Sequence, residues 1–224
     1  MRSLLVSLAT AALLVASPAL AQQVPAREQS SAAAPAPGRV AQLVEQMRGG
    51  GLVLVIRHER TEVPSRDDDY TRPAHDCSAQ RNLSIAGLAG ARETGVSIRA
   101  LGIPIDAVFS SPMCRGTETA RMMFGTYSVE PRLIHHDPSV PDGLDVATGL
   151  FREVLGELRI GEGNTVLISH SGNISRATGL RLVEGEIGVL RIGADGQIEI
   201  LGQVHGSELG FPARAVLVET GGHR

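Results

Sequence analysis

At 224 residues the chain has room for one ordinary domain with a sizeable core, and a second full domain would be crowded. Its apolar share of 42% and charged share of 20% describe a soluble globular protein, and with aromatics at 3% the core must be built mainly from Leu, Val, Ile and Ala. The formal net charge is −3, every basic residue is Arg, and no basic run occurs, which excludes the pattern of a nucleic-acid binder and makes any anion site a local one.

Met1-Arg2 is a short positive start, Leu4 to Ala16 an apolar run, and Pro18-Ala19-Leu20-Ala21 places small residues where a signal peptidase reads them. The expectation is a signal peptide over residues 1–21, cleaved after Ala21, and a periplasmic or secreted protein. The apolar run is shorter than the ~20 residues that span a bilayer, so no stable membrane insertion is expected after cleavage. Residues 22–38, rich in Ala, Pro, Gln and Ser, read as a flexible linker. The domain is expected over residues 39–224.

Val40, Leu43, Val44 and Met47 have helical spacing, and Gly49-Gly50-Gly51 ends that helix. Leu52 to Ile56 is a continuous apolar run, the mark of a strand buried on both faces. A polar stretch from Glu59 to Asn82 is long for a connection, and long loops are often functional. Ser84 caps a helix that runs to about Leu101 and stops at Gly102.

Ala107-Val108-Phe109 reads as a second strand, and Arg115 to Phe124 as a helix. Gly125 to Gly143 is irregular. Asp145 to Leu158 is helical, with Val146, Leu150, Val154 and Leu158 expected on one side. Thr165 to Ser169 is a third buried strand, followed by a short helix after Asn173. Gly188 to Ile192 and Ile198 to Val204 alternate around Ala194-Asp195-Gly196 as a hairpin, and Val216-Leu217-Val218 is a candidate last strand. Strands alternating with helices predict an α/β three-layer sandwich with a mostly parallel central sheet.

Three strands end in polar residues of one kind: Arg57-His58, then Ser110-Ser111-Pro112 with Arg115 beyond, then Ser169-His170-Ser171-Gly172. Ligands of open parallel sheets bind beyond the carboxyl ends of the strands, so two His and two Arg should converge. Cys77 and Cys114 are the only cysteines. In an oxidising compartment the one possible internal bridge joins them; the alternative is two unpaired buried thiols.

The segments IRHERT, SSPMCRGTETA and ISHSGNI together resemble the histidine phosphatase superfamily, whose fold is phosphoglycerate mutase-like. DCSAQRNLSIAGLAGA resembles a segment of exported bacterial members. The resemblance covers roughly Leu52 to Ile192. It implies a phosphomonoester hydrolase with a phosphohistidine intermediate on His58, the nucleophile, and a small-molecule phosphate ester as partner. Arg57, Arg115 and His170 would grip the phosphate, planar guanidinium groups suiting its oxygens. Ser171 and Gly172 would offer backbone N–H groups at a helix start. The general acid is Asp137 by first choice, His135 by second and Glu130 by third.

Glu59 stands where the family usually has Gly; it is expected to turn outward as a solvated carboxylate, the alternatives being a pair with Arg60 or Arg115. Arg81 and Asn82 either line the pocket or serve the helix cap. His75, His135 and His136 lack metal-ligand spacing, so neither metal nor cofactor is expected. Two rivals remain: a catalytically weak or inactive phosphate- or phosphoglycan-binding module of the same fold, and a mutase, against which export argues. The sequence carries no sign of oligomeric state.

Overall fold

The structure, a computed structural model, describes residues 37–64 and 67–210. The expected signal peptide, nearly all of the expected linker and the candidate strand at Val216-Leu217-Val218 lie outside the described residues.

Helix α1 (Pro37–Arg48) buries Val40, Leu43, Val44 and Met47 and ends at Gly50, whose φ of 68° suits glycine. Strand β1 (Val53–Arg57) follows. The connection after it contains one 3-10 turn, Cys77–Ala79, and leads to α2 (Ile85–Ala100), whose N-cap Ser84 accepts a hydrogen bond from the Gly87 N–H. Strand β2 (Ile105–Ser110), helix α3 (Cys114–Phe124) and a two-residue strand β3 (Ser128–Val129) come next. The chain continues with α4 (Gly143–Glu157), β4 (Asn164–Ser169), α5 (Ser171–Thr178), β5 (Glu186–Ile192) and β6 (Ile198–His205). The last two strands form the expected hairpin. The stretch expected to be irregular holds β3 and a 3-10 turn at Pro131–Leu133.

The six strands form one sheet in the order β3-β2-β4-β1-β5-β6. β1 to β4 pair in parallel, and β5 and β6 add an antiparallel edge. Successive side chains of a strand face opposite sides, and the core divides accordingly. Leu54 and Ile56 of β1 pack with α1, α2 and α3, whereas Val53 and Val55 pack with α4 and α5. This is the expected three-layer α/β sandwich. α4 corrects one expectation: Val146 is 61% exposed, and the buried stripe is Ala147, Thr148, Phe151, Val154 and Leu155.

Parallel register brings three strand ends together. Arg57 of β1 lies opposite Ser169 of β4, and Ser110 of β2 opposite Ile168. The pairing continues one residue further, for the His58 N–H donates to Ser169 O and the Ser111 N–H to Ile168 O.

Candidate active site

His58 and His170 leave adjacent strands and lie side by side, ring centroids 5.3 Å apart. Both are 1% exposed. The Nδ1 of His58 is 2.8 Å from the Glu59 carbonyl, which can only accept, so Nδ1 carries the hydrogen and Nε2 keeps its lone pair. Burial, then the positive charge of Arg115, holds this imidazole well below the usual histidine range, so it is neutral at neutral pH. The Nε2 of His170 is 2.8 Å from Ser111 Oγ, which also accepts from the Met113 N–H. We assign the Ser111 hydroxyl hydrogen to that Nε2, which makes Nδ1–H of His170 a donor. It has no protein acceptor among the described residues. Burial and then Arg115 hold His170 far below the ordinary value too.

A third ring, which the strand-end pattern does not announce, extends the pair. His135 meets His170 edge-on with centroids 5.0 Å apart, and burial followed by Arg115 and His136 lowers it to about 4. Its Nδ1 lies 2.7 Å from both the His136 carbonyl and the Tyr70 hydroxyl. The Tyr70 hydroxyl donates to Asp68 at 3.3 Å, and Asp68 accepts from Arg115 Nη1 at 3.0 Å. Burial, with the Asp68 charge next, pushes the Tyr70 phenol up to about 12. Burial alone would raise the Asp68 carboxyl, but the Arg81 N–H and the Arg115 guanidinium outweigh it and hold it below the usual carboxylate range.

Among the described residues Arg115 is the largest wholly buried side chain, placed in the first turn of α3. Its helix is pinned beside His58, because Thr119 Oγ donates to Arg115 O and accepts from the Glu59 N–H. Arg57, partly buried, donates from Nη1 to Leu182 O at 3.2 Å and from Nη2 to Glu184 at 3.5 Å. The Nε of each arginine is buried with no protein acceptor among the described residues. A cavity of about 570 Å³ opens on this cluster. Arg115, His135, Arg81 and Asp137 line it, together with Asp67 to Thr71, Pro138 and Ser139. Arg57, His58 and His170 are not on its lining; the ring row runs inward from His135 on the wall to the more deeply buried His170 and His58.

The remaining expected residues sort clearly. Asp137 borders the cavity, with Oδ1 accepting from the Ser139 N–H and hydroxyl. Glu130 is not on the cavity; it pairs with Arg132 at 3.0 Å. Ser171 lines a different hollow, beside Arg176 and Arg181. Arg81 is on the cavity wall, whereas Asn82 bonds the Cys77 carbonyl. Cys77 and Cys114 form a disulfide.

Glu59 corrects the expectation of an outward carboxylate, for it is 1% exposed. Its Oε2 accepts from the Arg60 N–H at 3.1 Å and lies 3.7 Å from Arg60 Nε. Gly90 and Gly185 make the room: a Cβ on either would come within 2.9 and 2.8 Å of Glu59 Oε1. Sequence reasoning also missed Asp68, Tyr70 and Glu184. Asp68 and Tyr70 sit in the long polar loop, and that loop's length was the only signal for them.

No family model matches the sequence, and no curated protein does. Solved structures do. A phosphoserine phosphatase from Entamoeba histolytica in complex with 3-phosphoglyceric acid aligns with a TM-score of 0.55 at 15% identity, over 70% of this chain and 98% of that one. This chain has the phosphoglycerate mutase-like histidine phosphatase fold. A putative alpha-ribazole-5'-P phosphatase from Escherichia coli aligns at 0.53 and 16% identity, over 66% of this chain and 94% of that one. The alpha-ribazole phosphatase from Shigella flexneri aligns at 0.51 with the same identity and coverage. On this histidine phosphatase fold, the imidazole pair and the two arginines stand where parallel strands of the sheet end.

Proposed function

We propose that the protein is a phosphomonoester hydrolase working through a phosphohistidine on His58. The observation that carries this reading is a set of buried donors with no protein acceptor, Arg57 Nε, Arg115 Nε and His170 Nδ1, grouped around a neutral imidazole. Such donors suit an anion, since a buried donor left unpaired is costly. Catalysis of phosphoryl transfer is mostly positioning and charge stabilisation.

In the first step His58 Nε2 forms a bond to phosphorus as the ester P–O bond breaks. Asp137 protonates the leaving oxygen; His135, the second choice, is held neutral by burial and Arg115 and lacks the imidazolium proton that role needs. In the second step the Asp137 carboxylate takes a proton from water as it attacks phosphorus, the P–N bond breaks, and inorganic phosphate leaves with His58 neutral and Asp137 protonated again. Arg57, Arg115 and the His170 Nδ1–H hold the equatorial oxygens throughout.

The signal-like N-terminus and the Cys77–Cys114 disulfide both support an exported protein. A cell-envelope phosphosugar is the substrate class that fits this compartment. The deciding experiment uses an aryl phosphate and a radiolabelled phosphate ester. The wild-type protein should turn over the ester and trap acid-labile label on His58, while His58→Ala should do neither. Near-normal turnover by His58→Ala would refute the nucleophile. No turnover by the wild type would favour the phosphate-binding module.

A further inference from the structure

The loop between β1 and α2 supplies Asp67, Asp68, Asp69, Tyr70, Thr71 and Arg81 to the cavity, more than half of its wall. From Asp67 to Gln80 this loop bonds largely to itself, as in Asp69 N–H to Ala79 O and Gln80 Nε2 to Ala74 O. Its strong holds on the rest of the domain are few. The disulfide joins Cys77 to Cys114, and Gln80 Oε1 accepts from the Cys114 N–H at 3.0 Å. Asp68 takes Arg115 at 3.0 Å, and Tyr70 meets His135 at 2.7 Å. Three of these four land on Cys114 and Arg115, adjacent residues at the start of α3. Cys77 is exposed, and Cys114 is 3% exposed. The one covalent tie therefore sits next to the buried guanidinium and can be reached from solvent at its Cys77 end.

We propose that the Cys77–Cys114 disulfide is a positioning device for the cavity: it holds the loop wall against α3 so that Asp68 stays on Arg115, and its reduction weakens the grip on phosphate without unfolding the domain. This rests on the phosphatase reading above. The sheet and its two apolar cores have no part in the tie, and local openings of a weakly packed segment need not involve them. A dithiol reductant supplies two electrons and two protons. Its thiolate attacks Cys77 Sγ, the S–S bond breaks with Cys114 leaving as a thiolate that takes a proton, and the second reagent thiol then displaces Cys77 as it closes its own disulfide.

The test compares the mature protein oxidised, reduced with dithiothreitol, and as the Cys77→Ser/Cys114→Ser double variant. We expect the KM for an aryl phosphate and the dissociation constant for inorganic phosphate to rise about tenfold on reduction, with kcat changing less, because preorganisation is what is lost. The double variant should match the reduced protein and ignore reductant. Amide exchange should quicken at residues 67–80, while β1 and β4 keep their protection. Unchanged KM and phosphate affinity would overturn the proposal, and so would equal loss of protection in β1 and β4, which would make the bond a staple for the whole fold. If the oxidised protein hydrolyses no ester, the phosphatase reading fails by itself. Phosphate affinity and amide exchange then still decide the tether.

Discussion

Acidification reads the buried imidazoles directly, and for His135 the effect has a size. Burial, then the charge of Arg115 and of His136, lowers its pKa from 6.5 to about 4. The unfolded chain therefore takes up this proton at higher pH than the folded one. Stability from His135 is fully present above 6.5, is lost as pH falls, and stops falling below 4. At about 1.36 kcal/mol per unit, the loss is about 2 kcal/mol from pH 7 to 5 and about 3 by pH 4. Both are upper figures, since one side of the ring borders the cavity. His135→Asn removes the titration and keeps an N–H, at the place of Nδ1, for the His136 carbonyl. Urea unfolding at the two pH values measures the change in each protein. The wild type should lose about 2 kcal/mol more than the variant between pH 7 and 5. His58 and His170, also lowered, are present in both and largely cancel. Parallel losses in the two proteins would show that His135 is not held neutral and would break the account of the ring row.

The Glu59 cradle predicts a coupled pair. Gly90→Ala should cost about 1–3 kcal/mol by crowding the carboxylate, yet become neutral or stabilising in a Glu59→Gly background, where Ala is simply the better helix residue; a double-mutant cycle in urea measures the coupling. Asn164 is wholly buried, and its side chain bonds Met47 O, Pro104 O and the Leu52 N–H. Asn164→Leu should therefore lower stability by about 1–3 kcal/mol, with a matching fall in Tm, because the Leu52 N–H loses its partner while the Met47 and Pro104 carbonyls keep the Gly50 and Asn164 backbone N–H groups. Asp137→Asn should slow alkyl phosphates more than aryl phosphates, read as the ratio of their kcat/KM values. Equal slowing would remove Asp137 from the acid role.

Apolar runs and caps are local, so β1, β2, β4 and the Ser84-capped α2 could be read from the chain with boundaries a residue or two off. The strand-end motifs were readable for the same reason, since each lies just beyond an apolar run. α4 shows where such reading fails. Spacing of four residues drifts around a helix of 3.6 per turn, so the stripe that is buried at Val154 has already turned off the covered face at Val146.

Residue types and their periodicity were thus enough for the layered fold, and strand-end position was enough to set His58 beside His170 with Arg57 and Arg115 near them. Folding alone decided that Asp68 and Tyr70 close on Arg115 and His135, that Glu59 turns inward between Gly90 and Gly185, and that Ser171 faces another hollow. These contacts join segments far apart in the chain through an irregular loop. No repeat in the sequence encodes such a path, and a buried carboxylate is written with the same letter as a solvated one.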